Sequence, residues 1–285
     1  MKNFLIVAYG FLFSFAIYSQ EMKVPLPKEV QKAPEHVKLY YHVIDSLKHP
    51  TWQEKVEEKW TINDIKRYGF LLYECQDFDP IAKAKYNTQS GEERKRILRE
   101  SNQSGLKKTQ ENTQWYISDR TIIEKVEKEI SPVTAWLIKV PIWLTIEIDS
   151  VEKTIYQTPK TSPPPVTMYL AHSTIKRVWK GKIYKENNSI TPYYMGGWIY
   201  PPMKKGETYI VGLSPIIRPW VPDEVLLAIG GPHNLNIFIY KIENGYVIDQ
   251  NNKFLLGNKV EREKFETMLD GEIKKIKSWK GELKK

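Results

Sequence analysis

The apolar positions of this chain change period near its middle. From about residue 35 to 130 they recur at helical spacing; from 135 onward they alternate. Leu39, Tyr40, Val43, Ile44 and Leu47 share one helix face, and Pro50 marks the stop. Thr61 followed by Asp64 is a helix start, with Ile62, Ile65 and Leu72 as its apolar stripe. "LLYECQDFDP" suits either the end of that helix or a short strand. Ser90 and Glu93 repeat the capping pattern ahead of "ERKRILRE", which has only Ile97 and Leu98 as apolar anchors and so predicts a solvated surface helix. "SNQSGLKKTQENTQ" is a loop, and "SDRTIIEKVEKEI" a short helix ending before Pro132.

The alternation that follows is strict. In "AWLIKVPIWLTIEID", from Ala135 to Asp149, Trp136, Ile138, Val140, Ile142, Leu144, Ile146 and Ile148 lie on one face of a strand. Leu137, Lys139, Pro141, Trp143, Thr145, Glu147 and Asp149 lie on the other. Such a strand would run about 50 Å. Pro141 cannot donate to a ladder, so a bulge or bend is expected there. "VTMYLAHSTIKRV", "ETYIVGL" and "EVLLAI" predict further strands, and "NIFIYKI" and "YVID" a hairpin joined by Asn244-Gly245. "FLLGNKV" adds a short piece. A helix over about 261–279 buries Phe265, Leu269, Ile273, Ile276 and Trp279 and turns lysines outward. The predicted class is α+β: a helical N-terminal region, then a small antiparallel β-barrel closed by a C-terminal amphipathic helix.

The second half resembles the netrin-like (NTR) version of the OB-fold, found in secreted modules and in tissue inhibitors of metalloproteinases. The likeness rests on the long first strand, on "STIKRVWKGK", similar to a V-x-x-V-x-KG strand ending, on "MKKGETYIVGLSP", similar to a K-G-x-x-Y-L-V strand, and on the closing helix "EREKFETMLDGEIKKI". It covers about residues 131–280. The metalloproteinase inhibitors engage zinc through an N-terminal Cys fixed by disulfides. No such Cys stands here, so that inhibition is not implied. The resemblance implies that "KRVWKG" is a strand end, with Trp179 covering a barrel opening and Gly181 supplying the turn. The alternative is an oligonucleotide groove in which Trp179, Tyr184, Tyr193 and Tyr194 stack on bases.

The N-terminus changes that choice. Lys2 precedes an apolar run from Phe4 to Ile17, shorter than the roughly 20 residues of a membrane-spanning helix. A polar end at Ser19 and Gln20 follows. This predicts a signal peptide over 1–19, cleaved after Ser19, with an uncleaved anchor as the alternative. Export to the periplasm or beyond argues against nucleic acid, and no later segment predicts a transmembrane span. Residues 20–34 form a Pro/Lys-rich tether, expected to be extended or poorly ordered. The helical region then spans 35–130 and the barrel with its helix 131–285. Net charge is +9, or +8 without Lys2. Outside the cytoplasm it suits an anionic lipid, lipopolysaccharide or acidic glycan, or simply keeps the chain in solution. Cys75 is the sole cysteine, which excludes an internal disulfide and predicts a small buried hydrophobe.

Chemistry is sparse. His42 and His49 share a helix face but stand two turns apart, about 10 Å along the axis, too far to share one zinc. Ser214, His233 and Asp249 could be drawn as a triad, yet Ser214 lies in "GLSPI" rather than a G-x-S-x-G elbow. Glu147 and Asp149 read as solvated outward charges. "GGPHN", which holds His233, and "MGGWIYPP" are the unusual loops. With Tyr193, Tyr194, Trp198 and Tyr200 around it, the second predicts an aromatic surface for sugar or peptide. The candidate ligand residues are thus Tyr193, Tyr194, Trp198, Tyr200, Trp179 and His233, with no cofactor or metal. The expectation is an exported, non-enzymatic binding protein of the bacterial envelope, its partner a protein, a glycan or an anionic surface. The alternative is an extracytoplasmic hydrolase with a site assembled from distant residues.

Overall fold

The computed structural model describes residues 26, 28, 30–47, 60–83, 119–156, 166–195, 203–215, 227–229, 238–250 and 252–284. The helix expected around Ser90 and Glu93, and Trp198, Tyr200 and His233, lie outside the described residues.

Ahead of the sheet run the helices α1 (Glu35–Leu47), α2 (Ile62–Phe78), α3 (Asp119–Glu129) and α4 (Pro132–Lys139). Ahead of α1 the end of the tether turns rather than extends, and Val30 and Ala33 are buried. Thr61 and Asp64 cap α2 reciprocally, as their spacing predicts. "LLYECQDF" resolves as helix. Gly69 to Asp77 are all buried, because α2 packs against α1, α3, α4 and the C-terminal helical segment. A helix enclosed this way loses the one-sided stripe that would have identified it. Ile62, expected on that stripe, is instead exposed.

The strand expected from Ala135 begins only at Ile142. Its first third is α4: Ser131 caps the N-terminus through its hydroxyl, Pro132 takes the first turn where its missing N–H costs nothing, and the helix stops before Pro141. Trp136, Ile138 and Val140 therefore do not belong to the strand face. From Ile142 the predicted alternation holds. Ile142, Leu144, Ile146 and Ile148 point into one core, whereas Trp143 joins another.

The strands are β1 (Ile142–Tyr156), β2 (Val166–Lys180), β3 (Ser189–Ile190), β4 (Tyr193–Met195), β5 (Thr208–Pro215), β6 (Leu227–Ile229), β7 (Ile239–Glu243), β8 (Tyr246–Ile248) and β9 (Lys259–Glu261). β1 pairs with β2 and β5, β2 with β4, β4 with β6, and β6 with β5. This ring closes a five-stranded barrel compatible with an OB-like barrel. Its pairs are antiparallel except β4–β6, which meet in parallel at Tyr193 and Ala228. β7 to β9 extend from the free edge of β5, and Asn244-Gly245 turns the β7–β8 hairpin. Helix α5 (Arg262–Ser278) follows, then a 3-10 segment (Trp279–Lys284). Phe265, Leu269, Ile273, Ile276 and Trp279 are all buried, as the stripe predicts. Among the described residues no helix is long and apolar enough to cross a membrane.

Two cores result. The inner one fills the barrel with Ile142, Leu144, Ile146, Ala171, Ile175, Val211, Leu213 and Ile229, closed by Tyr194 and Tyr209. The outer one lies between the barrel wall and the helices. There Trp143 meets Phe238 at 5.4 Å, Phe254 at 5.8 Å and Tyr240 at 6.3 Å between ring centres, and Leu137, Ile138, Phe265 and Leu269 complete the layer. Burying two faces of one sheet is what lets a barrel this small hold a helical layer.

Candidate site at the barrel mouth

Where β7 and β8 diverge from the barrel, a partly open cavity of about 150 Å³ is lined by Tyr194, Met203, Tyr209, Ile239, Lys241, Glu243, Ile248 and Gln250. Alternation along β5 places Tyr209 on the same inward face as Val211 and Leu213, so its ring ends the barrel core. Tyr194 stacks on Tyr169 at 5.3 Å and 17°, and its hydroxyl accepts the Met203 N–H at 3.1 Å. Both ends of that ring are fixed.

The charged groups at this mouth are committed to one another. Tyr209 donates its hydroxyl to Glu207 at 2.5 Å, and the Lys204 N–H donates to the same carboxylate oxygen at 2.8 Å. Lys241 bridges Glu207 at 3.0 Å and Glu243 at 2.9 Å. Burial pushes the Glu207 carboxyl up, but the bonds from Tyr209 and Lys241 outweigh it and hold the group below its ordinary value. Burial, with the Glu207 bond, pushes the Tyr209 phenol far up, and burial raises Tyr194. Lys241 is held charged by Glu243 and Glu207. No poised base or nucleophile results. The site offers an aromatic and aliphatic floor beneath a rim in which one lysine bridges two carboxylates.

Of the sequence-predicted residues, Tyr194 lines this cavity. Tyr193 is its buried neighbour on β4, pointing to the other face. Trp179 lies elsewhere. It is on the outer wall rather than over a barrel opening, with Nε1 donating to Thr145 Oγ1 at 2.9 Å and the Arg177 guanidinium 3.7 Å above its ring. Arg177 in turn pairs with Glu266 and Asp270 of α5, each at 2.9 Å. Gly181 supplies the predicted turn, at φ +114°. Glu147 pairs with Lys176 at 3.1 Å, and Asp149 accepts from Thr174. Asp249 is buried and accepts the Phe254 N–H at 3.0 Å, while Ser214 is buried on β5. Met203, Tyr209 and Lys241 were missed; "TYIV" is apolar on both faces, so no alternation marks Tyr209 as the inward one. Among the described residues no group of His, Cys, Asp and Glu is arranged to hold a metal ion.

A second polar cluster sits at the seam between helices and barrel. Lys180 is buried, and its Nζ donates to the carbonyls of Leu137 and Val140, both at 2.8 Å, and to Gln76 Oε1 at 3.3 Å. It thereby satisfies carbonyls at the C-terminal end of α4. The Tyr73 ring centre lies 4.5 Å away. Burial lowers the Lys180 pKa to about 7, against the opposing pull of Asp77. Next along the chain, the Gly181 N–H donates to Asp77 Oδ1 at 2.7 Å. Lys182 pairs with Glu74 at 2.9 Å and Asp77 at 3.2 Å, and His36 Nε2 lies 3.0 Å from Glu74. This cluster is a clamp with no cavity described beside it.

Neither a scan against protein-family models nor searches of curated proteins and of solved structures find a match to the chain.

Proposed function

We propose that the protein is an exported, non-enzymatic binding protein of the cell envelope whose barrel mouth takes one small aromatic or aliphatic group. That group would be a side chain of a partner protein or the apolar face of a glycan. The observation that carries the reading is the cavity itself, about 150 Å³ with a floor of Tyr194, Tyr209, Met203, Ile239 and Ile248. A volume of this order holds a single ring of benzene size. The rim charges are mutually paired and so select for orientation rather than for a charged ligand. The netrin-like resemblance and the N-terminal apolar run support the same reading, since both point to an extracytoplasmic interaction module. Ser214 and Asp249 form no arrangement that favours a hydrolase, and His233 lies outside the described residues.

Two measurements test it. Mass analysis of the protein purified from its own cells should give a chain beginning at Gln20; a full-length chain in the cytoplasm would sink the export half. Indole, p-cresol and short peptides bearing Phe or Leu should shift the NMR signals of Tyr194 and Tyr209. Met203→Trp, which fills the cavity, should weaken that binding by about tenfold or more, the scale of one apolar group excluded from a pocket. If none of the probes perturbs either tyrosine, the mouth is not the ligand site.

A further inference from the structure

We propose that the loop between β8 and β9, with Trp136 beside it, docks on an anionic lipid surface, Leu255 entering the apolar phase and Lys139 and Lys253 meeting the headgroups. Leu255 is the most exposed large apolar side chain among the described residues, at 67%. Its backbone is left-handed, at φ +60°. The other non-glycine residues there with positive φ are Asn187, Asn244 and Asn252, the type that tolerates this region. A leucine so placed is unfavourable twice over, by conformation and by exposure.

The loop is nevertheless tightly built. Buried Asp249 accepts the Phe254 N–H at 3.0 Å, the Asn252 side chain accepts the Gly257 N–H at 2.7 Å, and the Leu255 N–H donates to the Asn252 carbonyl at 3.1 Å. Phe254 anchors the loop in the outer core. Leu255 is therefore held outward by a fixed frame. Strain of this kind, kept by surrounding structure that over-determines it, is a mark of functional positions.

The flanking charges decide the partner. Lys253 and Lys139 each place their ammonium 5.2 Å from the centre of the half-buried Trp136 ring, and Lys259 lies 4.4 Å from the ring centre of Tyr246. An exposed aliphatic tip on a loop whose Lys253 shares Trp136 with Lys139 matches a membrane interface. Aromatic rings sit at headgroup depth, lysine stems reach outward to phosphate, and the leucine goes deeper. A glycan would leave Leu255 unused, and an uncharged apolar partner would leave the lysines unused. The inference concerns a different face from the barrel mouth and does not depend on it.

The test is co-sedimentation of the mature chain with vesicles of phosphatidylcholine alone and of phosphatidylcholine mixed with phosphatidylglycerol. Binding is expected only to the mixed vesicles, and to fall with added salt. Leu255→Asn, which suits the left-handed backbone, should keep or raise the melting temperature yet weaken binding about tenfold. Lys253→Gln with Lys139→Gln should weaken it by about tenfold or more at low salt. No binding to the mixed vesicles overturns the proposal and leaves Leu255 for a protein partner. Binding undiminished by Leu255→Asn also overturns it, since the lysines at the end of α5 would then carry the attraction.

Discussion

Replacing Lys180 with methionine should destabilise the protein by several kcal/mol at pH 9, and by about 3 kcal/mol less at pH 6. The first figure comes from the carbonyls of Leu137 and Val140, which the substitution leaves buried without a donor, at about 1–3 kcal/mol each. The pH dependence comes from the ammonium. Its folded pKa, lowered to about 7 by burial, lies below the ordinary 10.5. Between those values the unfolded chain binds a proton that the folded chain does not, so stability rises with pH across that window. Below pH 7 both states are protonated and the full penalty of a buried charge remains. Each pH unit of the window is worth about 1.4 kcal/mol at most. Methionine removes the titration, so the wild-type advantage should grow from pH 6 to pH 9. The tyrosines with raised pKa values, Tyr73, Tyr184 and Tyr209, act above pH 10 and do not disturb this range. Urea unfolding of both proteins at the two pH values measures it. An equal cost at both would mean that Lys180 keeps an ordinary pKa inside the fold.

That lysine belongs to the "KRVWKGK" clump, and its position shows what a sequence can and cannot display. The strand ending and the turn at Gly181 were legible, because alternation and a glycine at a positive φ are local properties. The burial of Lys180 was not. Its acceptors lie about 40 residues earlier on α4 and about 100 earlier on α2, and no local pattern announces them. The same limit explains α4. Leu137 and Ile138 are both fully buried, so "AWLI" carries no one-sided stripe and alternates by chance with the strand that follows. Ser131-Pro132 is the local signal for the helix start, but from the sequence the proline is read only as the stop of the helix before it. The row of β1, the hairpin at Asn244-Gly245 and the stripe of α5 were legible from local pattern, although β1 buries both faces over 142–146 and β5 over 209–214. Of the barrel mouth only Tyr194 was anticipated. The cavity needs β4, β5, β7 and β8 together, and their convergence is a property of barrel closure rather than of any one stretch.

Trp143 offers the second large effect, and a way to separate volume from polarity in the outer core. Trp143→Ala should cost about 3–5 kcal/mol, the usual range for truncating a buried large aromatic. The ring is fully buried and packs against Phe238, Phe254 and Tyr240, so the cavity would open where barrel and helical layer meet. Trp143→Phe should cost far less, about 1 kcal/mol or below. It also loses volume, but it removes an indole N–H that is buried without a partner among the described residues. Leaving such a donor unsatisfied costs about 1–3 kcal/mol, which the phenyl ring does not incur. Both substitutions remove the N–H, so that relief is common to them; they differ in volume, which Trp143→Phe loses only in part and Trp143→Ala almost wholly. Chemical denaturation of the three proteins decides it. Nearly equal losses for Phe and Ala would mean that the N–H has a partner and that its bond, not the packing of the ring, holds this junction.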